Sequence, residues 1–173
     1  MYVRALFVLL AAIALAGLGA CNSAKPDDNG SDQVDNRYEA YLPYPNATSV
    51  RLFVNAEGLS ESGEWQISDT KGRLLSLNER KQFEKNIKLY RPKPDEEQLA
   101  TACFFPHHFF RYYDQSGKFV GEIAVCFCCA QAQASPEFAD VADDRWIEYD
   151  FPGLYRFVEG LGLPTEVNCE EEN

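Results

Sequence analysis

The stretch "CFFPHHFFRYYDQSGKFVGEIAVCFCC", Cys103 to Cys129, constrains the fold of this chain more than any other. It holds four of the six cysteines and both histidines. At its middle, Asp114-Gln115-Ser116-Gly117 has Asp first and Gly fourth, the preference of a type I turn. With the glycine left-handed, such a turn makes a three-residue hairpin loop with a bulge. The flanks are then antiparallel strands, with Asp114 across from Lys118. Counting outward pairs Tyr112 with Val120, Phe110 with Glu122 and His108 with Ala124, and it sets Cys103 against Cys129. Directly opposed residues have Cα atoms roughly 4.5 to 5.5 Å apart, within the span of a disulfide. The same count places Cys126 and Cys128 on the other face, beside His108 and Glu122. Pro106 donates no ladder hydrogen bond, which implies an edge strand or a bulge there. A single bulge would exchange the faces of everything before it.

Around this hairpin the pattern alternates strands with two helices. "SVRLFVN", Ser49 to Asn55, sets Val50, Leu52 and Val54 against Arg51 and Asn55, the signature of a half-buried strand. Glu64 to Leu77 reads as a hairpin about the turn signal Thr70-Lys71-Gly72. Ser76 and Glu79 form a capping box that opens a helix. Its apolar face is Phe83, Ile87 and Tyr90, with Glu84 and Lys88 on the wet side, and Pro92 and Pro94 stop it. "RWIEYD" is a further strand, and Asp150 caps a last helix built on Leu154, Phe157, Val158 and Leu161. Gly162 fits the left-handed position beyond that helix. The fold class expected is α+β, an antiparallel sheet of hairpins with two helices packed on one face.

The N-terminus addresses the chain to a membrane. "MYVRALFVLLAAIALAGLGAC" carries one cation, Arg4, then an apolar run from Ala5 to Leu18, then small residues, the build of a secretory signal peptide. The run is short against the roughly 20 residues of a membrane span. Its ending, Leu18-Gly19-Ala20-Cys21, resembles the lipobox of bacterial lipoproteins. That resemblance implies cleavage before Cys21, acylation of its thiol, and a chain anchored to the bilayer without crossing it. Asn22, where an aspartate would resemble an inner-membrane retention signal, implies the outer membrane. Residues 22–37 are polar and poor in aliphatic side chains, the composition of a flexible tether. Residues 1–20 are thus a signal peptide, 21–37 a lipidated tether, and 38–173 one domain. A net charge of −11 argues against nucleic acid as a partner and against electrostatic adhesion to anionic lipid. The tail Glu170-Glu171-Glu172 reads as a solvated end. No particular protein or small-molecule partner is legible.

Three chemistries compete for the cysteines. With Cys21 acylated, Cys103, Cys126, Cys128, Cys129 and Cys169 remain, enough for two bridges and one thiol. An oxidising compartment favours disulfides, with Cys103 to Cys129 as one and Cys169 reaching back for another. No cofactor is needed in that reading. Alternatively, Cys103, His108, Cys126 and Cys129 would make a Cys₃His shell for zinc, or a thiolate-rich site for copper. A redox or nucleophilic thiol is the third reading, although the Cys-x-x-Cys ends a strand and not a helix N-terminus, where its pKa would fall.

The body from Cys103 to Pro136 resembles a group of uncharacterised bacterial envelope proteins. Their signature is Cys-Phe-x-Pro-Arg-His-Gly, a tyrosine-aspartate turn, then Cys-Phe-x-Cys. Here it reads Cys103-Phe104-Phe105-Pro106-His107-His108-Phe109, Tyr113-Asp114, and Cys126-Phe127-Cys128-Cys129. "GLGLPTE" is similar to their C-terminal end. The matching positions are Cys103, His108, Cys126 and Cys129. His107, Phe109 and the extra Cys128 depart from the pattern, and the resemblance implies no activity.

Overall fold

The computed structural model describes residues 37–61, 65–97, 103–167 and 169. The chain divides into two units, Met1–Val34 and Asp35–Asn173, and the described residues all belong to the second. The signal segment, Cys21 and the tether up to residue 36 lie outside the described residues, as does the acidic tail.

The described body is α+β, with more of it in antiparallel strands than in helices. The five-stranded sheet runs in the order β5 (Arg73–Leu74), β2 (Ser49–Val54), β7 (His108–Tyr113), β8 (Phe119–Cys126), β9 (Gln131–Ser135). A three-stranded sheet has β6 (Ile87–Tyr90) between β1 (Tyr38–Ala40) and β10 (Trp146–Tyr149). A ribbon of β3 (Ala56–Leu59) and β4 (Trp65–Ile67) completes the strands. Two helices, α1 (Leu77–Glu84) and α2 (Phe151–Gly160), pack on one face of the five-stranded sheet.

Strand alternation explains which face. Val50, Leu52, Phe110, Tyr112, Ile123 and Val125 share one side and are sealed from water. Against them lie Phe83 of α1, Ile87 of β6, and Leu154, Phe157 and Val158 of α2. Phe83 stacks on Phe110 with ring centroids 3.7 Å apart. The opposite side carries Phe53, Phe109 and Ala124, with Trp65 of the ribbon and Phe104 packed against them.

Both helix starts follow their sequence signals. The Ser76 hydroxyl accepts from the Glu79 N–H, and the Glu79 carboxylate accepts from the Ser76 N–H, so two otherwise orphaned donors are satisfied. Asp150 accepts from the Gly153 N–H at the head of α2.

Three local expectations are corrected. Helix α1 stops at Glu84, and Ile87–Tyr90 is a strand. The Asn86 side chain donates to the carbonyls of Gln82 and Phe83, closing the helix there. The carbonyl of Asn86 then accepts from the Asp150 N–H, tying the ends of both helical segments together. Glu84 is therefore not on a wet face with Lys88. It is buried and bonded at 2.8 Å to Arg80, one turn earlier, and burial raises its carboxyl above the usual range.

Second, Thr70-Lys71-Gly72 turns the chain but joins no hairpin. The strand before it pairs with β3, and the strand after it pairs with β2.

Third, the register of the β7–β8 hairpin slips. Its loop forms as expected, with Gly117 at φ 80° and Asp114 exchanging hydrogen bonds with Gly117 and Lys118. Tyr113 then faces Phe119, but Val120 bulges and Tyr112 faces Gly121. The Tyr44 ring lies over this pair, 4.9 Å from the Tyr112 ring, and a Cβ at Gly121 would overlap it. Only the bulged register brings the glycine under Tyr44. Beyond it, Arg111 faces Glu122, Phe110 faces Ile123 and His108 faces Val125.

Phe83→Ala is expected to cost about 3 to 5 kcal/mol in urea unfolding, since the stack on Phe110 has no room to collapse. Leu77→Ala, on a residue 70% exposed in the same helix, should stay within about 0.5 kcal/mol.

Candidate functional site

The cysteine hairpin is the candidate site, and its far end is set by a tight turn. After β8 the chain reverses over Phe127-Cys128-Cys129-Ala130, where the Ala130 N–H donates to the Phe127 carbonyl and Ala130 takes φ 49°. Two adjacent cysteines at the apex of a turn project differently, and each captures a different segment. Cys129 bonds Cys103, with Cα atoms 6.2 Å apart. Cys128 bonds Cys169, with Cα atoms 5.5 Å apart. The first closes the hairpin behind β7, and the second fastens the residues after α2.

The histidines divide between the faces, because His107 extends the chain just ahead of β7 and neighbours in an extended chain alternate. His108 points into the helix-covered core with no exposed surface. Its Nε2 lies 2.7 Å from the Pro164 carbonyl, so it donates there as the neutral tautomer. Its ring meets the Phe127 ring edge-on at 4.8 Å. Burial pushes its pKa down to about 4, more than the hydrogen bond to Pro164 raises it. His107 is buried on the other face, with the Phe105 ring 5.2 Å away. Tyr155 of α2 donates to the Phe127 carbonyl at 3.0 Å. Thus Cys169 and α2 are held to the turn itself, and Pro164 is held to His108, whose ring meets Phe127.

Cys126 is the unbridged cysteine of the described residues, and it is fully buried. It ends β8 on the side of Ala124 and Glu122, opposite to His108 and Val125. The count from the turn had put His108 with Cys126. The bulge at Val120 separates them.

The four residues of the metal reading are therefore distributed. Cys103 and Cys129 are bonded to each other, and His108 and Cys126 lie on opposite faces. Among the described residues no group of three or more His, Cys, Asp or Glu is gathered as a metal site. Arg111 and Glu122 form an ion pair at 2.8 Å, and the guanidinium also lies over the rings of Phe53 and Phe119.

The pairing of Cys128 with Cys169 was open in the sequence, where Cys126 had an equal claim. The signal that separates them is the turn itself, since a residue still inside the ladder cannot swing out to a tail. No family model, no curated protein and no solved structure matches this chain.

Denaturing alkylation of the oxidised domain should label one body thiol, Cys126, and a non-reducing digest should yield the crosslinks Cys103–Cys129 and Cys128–Cys169. His108 also gives a pH signature. Its folded pKa, about 4, lies below the unfolded value of 6.5, so the unfolded chain binds the extra proton between them. The stability it supports is full above pH 6.5 and is lost as pH falls toward 4. His108→Gln keeps a donor for Pro164 and should lose less stability than wild type across that window in parallel urea titrations.

Proposed function

We propose that this protein is a bacterial envelope lipoprotein, anchored through an acylated Cys21, whose single domain is a non-catalytic binding or structural module stapled by two disulfides. The observation that carries the reading is the pair of bridges, Cys103–Cys129 and Cys128–Cys169. Such bonds persist where the surroundings are oxidising, which is where the signal segment and lipobox of residues 1–21 would deliver the chain. No helix among the described residues is long and apolar enough to cross a membrane. In this reading the attachment is the lipid on Cys21. Outer-membrane sorting follows from Asn22 after the cysteine.

A binding or structural role is favoured over thiol chemistry by where the reactive groups sit. Four thiols are in disulfides, Cys126 is in the interior, and both imidazoles are buried. A nucleophilic thiol needs a base beside it and a path to substrate, and this placement offers Cys126 neither with His108.

Expression of the full chain in a bacterial host tests the anchor. The mature protein should partition into detergent with the mass of an acylated Cys21, and Cys21→Ser should release it to the aqueous phase. A Cys21→Ser chain still held in the membrane fraction, or a wild-type chain with a free N-terminal thiol, would overturn the reading.

A further inference from the structure

Lysines gather on one face of this acidic protein. Lys81 on α1, Lys85 at the C-cap of that helix, and Lys88 on β6 line a pocket of about 440 Å³ together with Tyr38, Tyr41 and Leu42. The Lys88 ammonium sits 5.6 Å from the centre of the Tyr38 ring. Two acids in the same walls are already held by arginines: Glu39 by Arg145 and Glu84 by Arg80, each at 2.8 Å. Glu148 faces Lys88 across the strands and accepts from the Tyr38 hydroxyl at 3.3 Å. It is the acid set directly opposite one of the three lysines. None of the three lysines forms an ion pair among the described residues. Three like charges around one hollow repel each other until an anion meets them.

We infer that this face docks on the phosphate headgroups of an anionic bilayer. The inference rests on the lipid-anchor reading, and three observations support it. First, lysines beside tyrosines and an exposed leucine, Leu42 at 53%, match the headgroup level, where aromatic rings and aliphatic stems sit below charged tips. Second, the chain enters the described body at Arg37, and the docking face begins at Tyr38, the next residue. Cys21 is 16 residues before Arg37, so an anchored face stays within roughly 50 Å of the bilayer. The tether thus turns a weak contact into an intramolecular one at high effective concentration. Third, the chain as a whole carries −11. An anionic surface repels that charge and opposes contact everywhere else on the domain, so the contact is confined to the lysine face. Each lysine near such a surface raises the docked-to-free ratio about fivefold.

Lysine acylation footprinting on vesicles tests this. The lipidated chain is reconstituted into phosphatidylcholine vesicles, with or without about 30% phosphatidylglycerol, and acylation is read lysine by lysine by mass spectrometry. Lys81, Lys85 and Lys88 should react about fivefold more slowly on the anionic vesicles, while Lys71 and Lys118 stay unchanged. The protection should vanish at about 0.5 M salt. Equal rates on both vesicles would overturn the docking face and leave the lipid anchor standing. Protection by inorganic phosphate over phosphatidylcholine at matched ionic strength would reassign the face to a soluble anion, and overturn it too. If Cys21 proves unacylated, a hexahistidine tag replacing residues 1–21 supplies the anchor on nickel-chelating lipids. Protection there supports the face without the lipoprotein reading, and its absence removes both.

Discussion

Four residues at the end of β8, Phe127 to Ala130, organise the described body, because segments from three parts of the sequence are fastened to them. Cys129 takes Cys103, Cys128 takes Cys169, and the Phe127 carbonyl takes the Tyr155 hydroxyl. The sequence separations of the two bridges, 26 and 41 residues, correspond in the chain-entropy account to about 3 to 4 kcal/mol each. That is comparable to the whole net stability of a small domain. The turn works as a fastener because its two cysteines are adjacent at an apex, free of the ladder on either side. Cys126, two residues earlier and still paired with Gln131, has no such freedom and stays reduced in the interior.

His108 shows how the fastening reaches the core. Its ring lies between the Phe127 ring and the Pro164 carbonyl, so a polar side chain is buried in order to hold the residues after α2 against the sheet. Burial favours the neutral ring, and neutrality leaves Nε2 to donate to Pro164. A histidine of this kind is a structural hydrogen-bond donor. In sequence alone it cannot be told from a ligand, since both want an imidazole near cysteines.

How much was legible follows from which signals are local. Both helix caps could be read, because Ser76 with Glu79 and Asp150 with Gly153 act within three residues. The Asp114 turn was legible for the same reason. Its continuation into the strands was not, because the bulge at Val120 answers to Tyr44, far away in sequence. Ile87 and Tyr90 misled for a different reason. Spacings of four and three from Phe83 suit a helix, yet Ile87 and Tyr90 are also the two buried ends of a four-residue strand. Asn86, whose side chain closes α1, was the deciding residue, and its role shows only when Asp150 is seen on its carbonyl. The structure joins Cys103 to Cys129 although the ladder that suggested the pair has slipped. The chain leaves β7 before Pro106, and the disulfide forms outside any register.

The cations divide between two tasks, and the division follows from their chemistry. Arg37, Arg73, Arg80, Arg111 and Arg145 each hold a carboxylate. Several also lie over aromatic rings, as Arg80 does over Tyr112 and Arg111 over Phe53. A planar guanidinium offers a fixed fork of donors and is weakly hydrated, so it serves in partly buried pairs. Ammonium groups are compact and strongly hydrated, and the lysines are left at the surface without ion pairs among the described residues. An acidic chain that commits most of its described arginines to internal bonds leaves much of its long-range positive field to lysines. Where three of them converge, beside the point at which the chain enters its folded body, that field has a direction. In the docking proposed above, that field orients the domain relative to its lipid-held N-terminus, and the disulfide-locked core need not move.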